Sequence, residues 1–291
     1  MLFDSIVYGP IRSRRLGVSL GVNLMPTTAK LCSFDCVYCE CGWNQPVSHP
    51  ILPTRQQIRE ALHSSLITHS SSLITHSSSL ITHSSSLITH SSSLITHSSS
   101  LITHSSSLIT SPDVITFSGN GEPTMHPDFL GIIQDTCALR DQFCPEAKVS
   151  VLSNSTQLSR PDVLQALMLC DNRILKLDSA IDATMQLIDQ PVNHQLTVQQ
   201  IVNNLQYFNG QFTLQTCFLR GEYHGQIIDN TTPEELQAWY QVIDLLRPQQ
   251  VMIYVIDRET PLKTLHKIPA DKMQEIAAPL REKGIDVIVS V

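Results

Sequence analysis

Short apolar runs alternate along the chain with stretches whose apolar residues recur at helical spacing. Gly17 to Leu24 (GVSLGVNL) alternates apolar with small or polar residues, which predicts a strand. Thr54 opens a helix: Gln57 stands three residues on in a capping-box arrangement, and Ile58, Ala61 and Leu62 share one face. A β-branched run at 113–118 (DVITFS) ends in glycines, and a helix follows over about 127–143. KVSVLS (148–153) predicts a strand and Ser159, with Asp162 three residues on, a helix start. RILKLD (173–178) precedes helical sequence around 195–208, and FTLQTCFL (212–219) precedes a helix that starts at Thr232-Pro233-Glu234-Glu235. VMIYVI (251–256), a helix near 270–283 and DVIVSV (286–291) complete the pattern.

These are six β-then-α units and a last strand. The strands read as apolar on both faces, which predicts a parallel sheet covered by helices. An open doubly wound sheet and an incomplete barrel both satisfy that pattern, and periodicity does not choose between them. Either way, active residues belong at the carboxyl ends of the strands.

One stretch breaks the beat. From Ser64 to Thr110 the chain repeats the unit Leu-Ile-Thr-His-Ser-Ser-Ser almost perfectly, within the connection from the first helix to the strand at 113. The seven-residue period stacks the Leu residues on a stripe with nothing apolar three or four positions on, and as a strand it sends successive Leu side chains to opposite faces. The tract therefore reads as an irregular or disordered insertion in a single domain spanning 1–291, on the face opposite the chemistry. The sharper alternative is that its six His residues bind a transition metal.

Composition changes the picture only once this block is set aside. It holds half of the 12 His and no Asp, Glu, Lys or Arg, so the charged fraction elsewhere is about 18% rather than 15%. A net charge of −7 gives no footprint for non-specific nucleic-acid binding. The N-terminus lacks the positive region of a signal peptide, and no apolar run reaches the ~18 residues of a membrane span. Four of the eight Cys fall within ten residues, which favours metal binding in a reducing, cytoplasmic setting over disulfides.

That cluster carries the candidate chemistry. In LCSFDCVYCECG (31–42), Cys32, Cys36 and Cys39 stand at Cys-x3-Cys-x2-Cys spacing, directly after the first strand. Three thiolates at such spacing can fill three corners of a [4Fe–4S] cluster and leave one iron open to a small molecule. The competing reading is a structural zinc site that also uses Cys41, giving a zinc-stabilised binding protein without catalysis.

The loop, with Tyr38 before the third Cys, resembles that of the radical S-adenosylmethionine (SAM) superfamily. The resemblance extends to FSGNGEPTMHP (117–127), where Gly119-Asn120-Gly121-Glu122-Pro123 is similar to that family's Gly-Gly-Glu-Pro motif at the end of the second strand; Asn120 replaces a second consecutive Gly. The resemblance implies an incomplete (β/α)6 barrel, a [4Fe–4S] cluster on Cys32, Cys36 and Cys39, and SAM chelated to the open iron. It further implies reductive cleavage of SAM to a 5′-deoxyadenosyl radical that abstracts hydrogen from a substrate. Tyr38, Gly119, Asn120, Gly121 and Glu122 would then contact the cofactor, the glycines admitting the methionyl end and Glu122 suiting its ammonium. Ser153, Asn154, Lys176 and Asp178 sit where the family contacts the ribose and carboxylate of SAM; capping of the following helices is the alternative, and it extends to Ser179.

Gln215 is a weaker candidate on the fifth strand, and Cys41 reads as an ordinary loop residue. Arg12, Arg14 and Arg15 either hold a phosphate or carboxylate of the substrate, dock an acidic flavodoxin-type reductant, or lie in solvent. His126 and His224 follow strands and read as structural. Within the superfamily, YGPIRSRRLGVSLGVNL, CSFDCVYCECGWN and SGNGEPTMHP resemble the small stand-alone members related to wyosine-type tRNA-modification synthases. The chain shows no flavodoxin module or second Cys cluster, so the tRNA substrate does not follow. The expectation is a radical SAM enzyme of unidentified substrate, served by a flavodoxin- or ferredoxin-type electron donor. A tRNA-modifying and a glycyl-radical-activating enzyme are the alternatives within the class.

Overall fold

The computed structural model describes residues 2–13, 15–46, 49–68 and 111–291. The repeat from 69 to 110, and with it the reading of that tract as irregular or metal-binding, lies outside the described residues, as does Arg14.

Strands β1 (Val7–Ser13), β2 (Gly17–Val22), β3 (Val114–Phe117), β4 (Lys148–Ser153), β5 (Asn172–Lys176), β6 (Thr213–Tyr223), β8 (Gln250–Val255) and β10 (Asp286–Ser290) lie side by side in chain order. Between neighbours in this row every pairing from β2 to β10 is parallel, and β1 closes the first edge antiparallel. The spatial order never reverses, so there is no topological switch point. The sheet winds in one direction and curls into the incomplete barrel, not the doubly wound alternative.

The helices are α1 (55–68), α2 (Phe129–Phe143), α3 (Pro161–Leu169), α4 (Asp182–Asp189), α5 (Val198–Leu205), α6 (Pro233–Leu246) and α7 (Ala270–Glu282). The helix caps explain several boundaries. Thr54 and Gln57 exchange reciprocal bonds at the start of α1, Thr197 and Gln200 do so at α5, and Thr232 accepts from Glu235 N at α6. Side chains at alternate strand positions, such as Leu20, Val22, Ile115, Phe117, Val149 and Val151, are fully buried in the main core. The intervening positions, including Ser19, Thr116, Ile174, Gln215 and Met252, line a cavity inside the curl. The strands are thus apolar toward the helices and mixed toward the cavity, which corrects the reading of two apolar faces.

Other boundaries differ from expectation. β1 was not foreseen, because Gly9 and Pro10 interrupt its pattern and its pairing with β2 is irregular between Tyr8 and Ile11. Arg12 therefore lies in a strand and Arg15 in the turn that follows it, instead of merely preceding a strand. α4 was missed as well; only Met185, Ile188 and Asp189 of its eight residues are buried. β6 runs past the barrel rim and pairs there with β7 (Gln226–Asp229) and β9 (His266–Lys267). The first residues of the repeat, Ser64 to Thr68, are not irregular: they continue α1, and Leu66 is buried in the core. Among the described residues, no helix is long and apolar enough to cross a membrane.

Candidate functional site

The cysteine loop follows β2 and is held to three other parts of the chain by backbone hydrogen bonds. Leu31 N donates to Asn120 O (2.9 Å), and Glu122 N donates back to Leu31 O (3.2 Å), so the loop is zipped to the glycine-rich turn after β3. Asp35 N and Val37 N donate to Asp189 O and Ile188 O at the end of α4, each at 2.9 Å, and Leu262 N reaches Val37 O at 3.4 Å. The zipper explains the glycines. Gly121 has φ +147°, and a Cβ there would lie 1.8 Å from Leu31 O; a Cβ on Gly119 would lie 2.6 Å from the Asn23 side chain. The close approach these glycines permit is to this chain's own backbone and side chains.

Asn120 is completely buried. Its Nδ2 donates to Phe3 O and Pro26 O, and its Oδ1 accepts from Phe3 N, all at 2.8 Å. The replacement of glycine in the motif is thus an amide that ties the N-terminal segment and the Pro26 turn to the site. Glu122 caps a single 3-10 turn (Pro123–Met125): one oxygen accepts from Thr124 Oγ1 (2.5 Å) and N (3.1 Å), the other from Asn154 N (2.7 Å). Burial pushes the Glu122 carboxyl up, against these hydrogen bonds.

The sulfurs stand among nitrogen donors. Lys176 Nζ lies 2.9 Å from Cys36 Sγ, and Asn154 Nδ2 lies 3.6 Å from Cys32 Sγ and 2.9 Å from Ser33 Oγ. Buried Lys30, bonded to Asp35 Oδ1 (2.9 Å) and Gly42 O (2.8 Å), is raised by the fields of Cys39, Cys32 and Cys36 against the cost of burial. Burial pushes Cys32 up to about 12 and raises Cys36. A hydrogen bond from Cys41, followed by the field of Lys30, brings Cys39 down to about 6 although burial opposes it. Cys41, whose sulfur also lies 3.2 Å from Gly119 O, is therefore engaged with the site and is not an ordinary loop residue.

A second buried group borders the loop. Lys176 pairs with Asp189 Oδ1 (2.5 Å) and Asp178 Oδ2 (3.2 Å); Tyr38 OH donates to Asp178, which also accepts from Cys217 N (2.8 Å). Burial works against the Lys176 charge, yet Asp178 and Asp189 outweigh it and the ammonium is raised. Burial pushes Asp189 up to about 7, against the pull of Lys176. Tyr254 OH lies 3.4 Å from Tyr38 OH.

Cys36, Tyr38, Cys39, Cys41, Gly119 and Gln215 border a cavity of about 410 Å³. Ser153 does not border it; it is buried and accepts from Ser155 N (3.1 Å). Neither Ser153 nor Asn154 caps α3, whose N-cap is Arg160; Ser179 does accept from Ile181 N (2.9 Å) just before α4. His126 is structural: one ring nitrogen pairs with Pro53 O (2.9 Å) and the other accepts from Asp128 N (3.1 Å). His224 lies exposed in the β6–β7 turn. Sequence reasoning missed Lys30, Asp189 and Tyr254; the signals available were the place of Lys30 two residues before Cys32 and the places of Asp189 and Tyr254 at the ends of a helix and a strand.

The donor set can be tested against the implied groups. Among the described residues, no three or more Cys, His, Asp or Glu side chains converge so as to hold a single metal ion. A four-iron cluster takes thiolates at separate corners and is tuned by hydrogen bonds to sulfur, which suits three thiols flanked by Lys176 and Asn154.

No family model matches the chain. It is 24% identical over 275 residues to the GTPase Obg of Brachyspira hyodysenteriae, covering 92% of this chain but 32% of that protein, so it spans about a third of that relative's length. It is 25% identical over 260 residues to a UPF0026 protein of Helicobacter pylori, covering 89% of this chain and 68% of the relative. Among solved structures it is similar to TYW1 with a lysine-pyruvate adduct bound, with TM-score 0.57 and 13% identity over 91% of this chain and 73% of that one. At that identity the likeness is one of fold, and the fold is the incomplete (β/α)6 barrel that the resemblance to the radical SAM superfamily implied.

Proposed function

We propose that this chain is a radical SAM enzyme whose Cys32, Cys36 and Cys39 hold a [4Fe–4S] cluster beside a cavity that receives SAM and a substrate. The observation that carries the reading is the zipper of the cysteine loop onto the Gly119–Pro123 turn at the carboxyl ends of β2 and β3. The two motifs are far apart in sequence and are hydrogen-bonded to each other at the cavity's edge. When bound, the reduced cluster would supply the electron that cleaves SAM to methionine and a 5′-deoxyadenosyl radical.

The chain's own residues hold, orient and neutralise. Lys30 and Lys176 offset thiolate charge, and Asn154 donates toward Cys32. Glu122 and Asn120 act through the backbone they fix, Glu122 on Asn154 N and Asn120 on Pro26 O. Asp178 orients Tyr38, and Gln215 offers an amide from the cavity wall. The reductant would be a flavodoxin- or ferredoxin-type protein.

Anaerobic reconstitution tests the proposal. We expect about four iron and four sulfide per chain, and 5′-deoxyadenosine after reduction in the presence of SAM. Cys32→Ala, Cys36→Ala and Cys39→Ala should each abolish cleavage, while Cys41→Ala should retain iron. Stoichiometric zinc without charge-transfer absorbance in the wild-type protein would reject the enzyme.

A further inference from the structure

We infer that Arg15 is the anchor for an oxyanion, a carboxylate or phosphate group, on the substrate. The inference rests on reading the cavity as the substrate chamber. Arg15 follows β1 in the hairpin turn, at the amino end of β2, while the cysteine loop leaves the carboxyl end of the same strand. It lines both the main cavity and a second one formed by the strands' amino ends, so it forms the floor between them. Its guanidinium lies over the Tyr254 ring, 4.7 Å from the centroid, and among the described residues its one side-chain hydrogen bond is a long contact (3.9 Å) from Nη1 to Met252 Sδ.

A guanidinium carries five donors in a planar fork matched to carboxylate and phosphate. Among the described residues Arg15 has no carboxylate partner, and its stacking on Tyr254 fixes the fork without satisfying it. The other charges of the cavity wall do not supply the missing anion. Of the wall's carboxylates, Glu40 pairs with Arg258 (2.7 Å) and Asp257 with Lys267 (3.6 Å), and Arg12, like Arg15, makes no ion pair with a described residue. Two guanidinium groups are therefore left over in a cavity of a chain whose net charge is −7. An unpaired guanidinium on the floor draws an anion toward it.

Tyr254 connects the floor to the site above, since its ring receives Arg15 and its hydroxyl approaches Tyr38. A substrate held by its oxyanion on Arg15 would project its remaining atoms toward the cysteine loop, at the other end of the cavity. Arg15 is thus a specificity-determining residue, and the substrate class is a small molecule bearing a carboxylate or phosphate.

The test is calorimetric titration of the reconstituted wild-type protein with inorganic phosphate and, separately, with acetate, at constant ionic strength set with chloride. We expect saturable binding of at least one; the tighter probe identifies the group. Arg15→Met should weaken it by roughly tenfold or more, as loss of a charge-assisted pair does, and Arg15→Lys, which keeps the charge but not the fork, should fall between. Circular dichroism checks that both variants are folded, and if the Met variant is not, the Lys variant decides by itself. Absence of binding to the wild-type protein, or equal binding by the folded variants, would overturn the inference. Iron content and SAM cleavage are measured on the same wild-type preparation, so failure of the enzyme assignment is read separately.

Discussion

Asn120 makes three side-chain hydrogen bonds that a glycine at the same place could not make. Restoring the family spelling by Asn120→Gly would take the partner from Pro26 O in a buried setting and from Phe3 N and Phe3 O in a partly buried one. The expected cost is about 2–4 kcal/mol, read as a fall in Tm of roughly 5–10 °C, and Asn120→Ala should cost much the same. An unchanged melting temperature for the glycine variant would contradict the role assigned here. At this scale the sequence is readable where spacing is short: Cys32, Cys36 and Cys39, and the Gly119–Pro123 turn, reveal themselves within a dozen residues. The partners of Asn120 stand 117 and 94 residues away, so its amide reads as a ligand contact until the fold is known. Tyr254 was hidden for the same reason, since it meets Tyr38 from 216 residues away; Lys30 and Asp189 have near partners, Asp35 and Lys176, but no motif marked them.

The helices show the same division between local and distant causes. Thr54, Thr197 and Thr232 open their helices with bonds spanning three residues, and the starts at Thr54 and Thr232 are visible in the sequence. The start of α3 is not at Ser159, because Pro161 favours the first helical position and forces Arg160 to an extended conformation (φ −84°, ψ 122°), making it the N-cap. In α1, Ile58, Leu62 and Leu66 fall at i, i+4 and i+8 and are all buried, so the helix takes its last core residue from the first copy of the repeat. Two deletions should therefore differ. Replacing 69–110 by a short Gly/Ser linker should leave Tm, iron content and SAM cleavage unchanged. Removing 64–110 also removes Leu66 and should cost about 2–4 kcal/mol. Thermal melts of the two variants check this, and equal loss in both would mean that the tract contributes more to the fold than its helical first residues.

For the molecule as a whole, the cysteine loop is the place where separate parts of the barrel meet: the turn after β3, the end of α4, and the segment at Leu262 all hydrogen-bond to it. A small zinc domain depends on its metal to fold because nothing else holds its ligands. Here the loop is held by the chain itself, over a core that the helices and the outer sheet face already complete. Loading should then add stability by binding alone, through mass action on a folded apoprotein, without being a condition of folding. Removing iron with an anaerobic chelator should leave the far-UV circular dichroism and a cooperative melt intact, while lowering Tm by a few degrees. Reconstitution should restore the difference. If the apoprotein lost its cooperative melt, the backbone bonds from Leu31, Asp35 and Val37 would be a consequence of the cluster and not the frame that receives it.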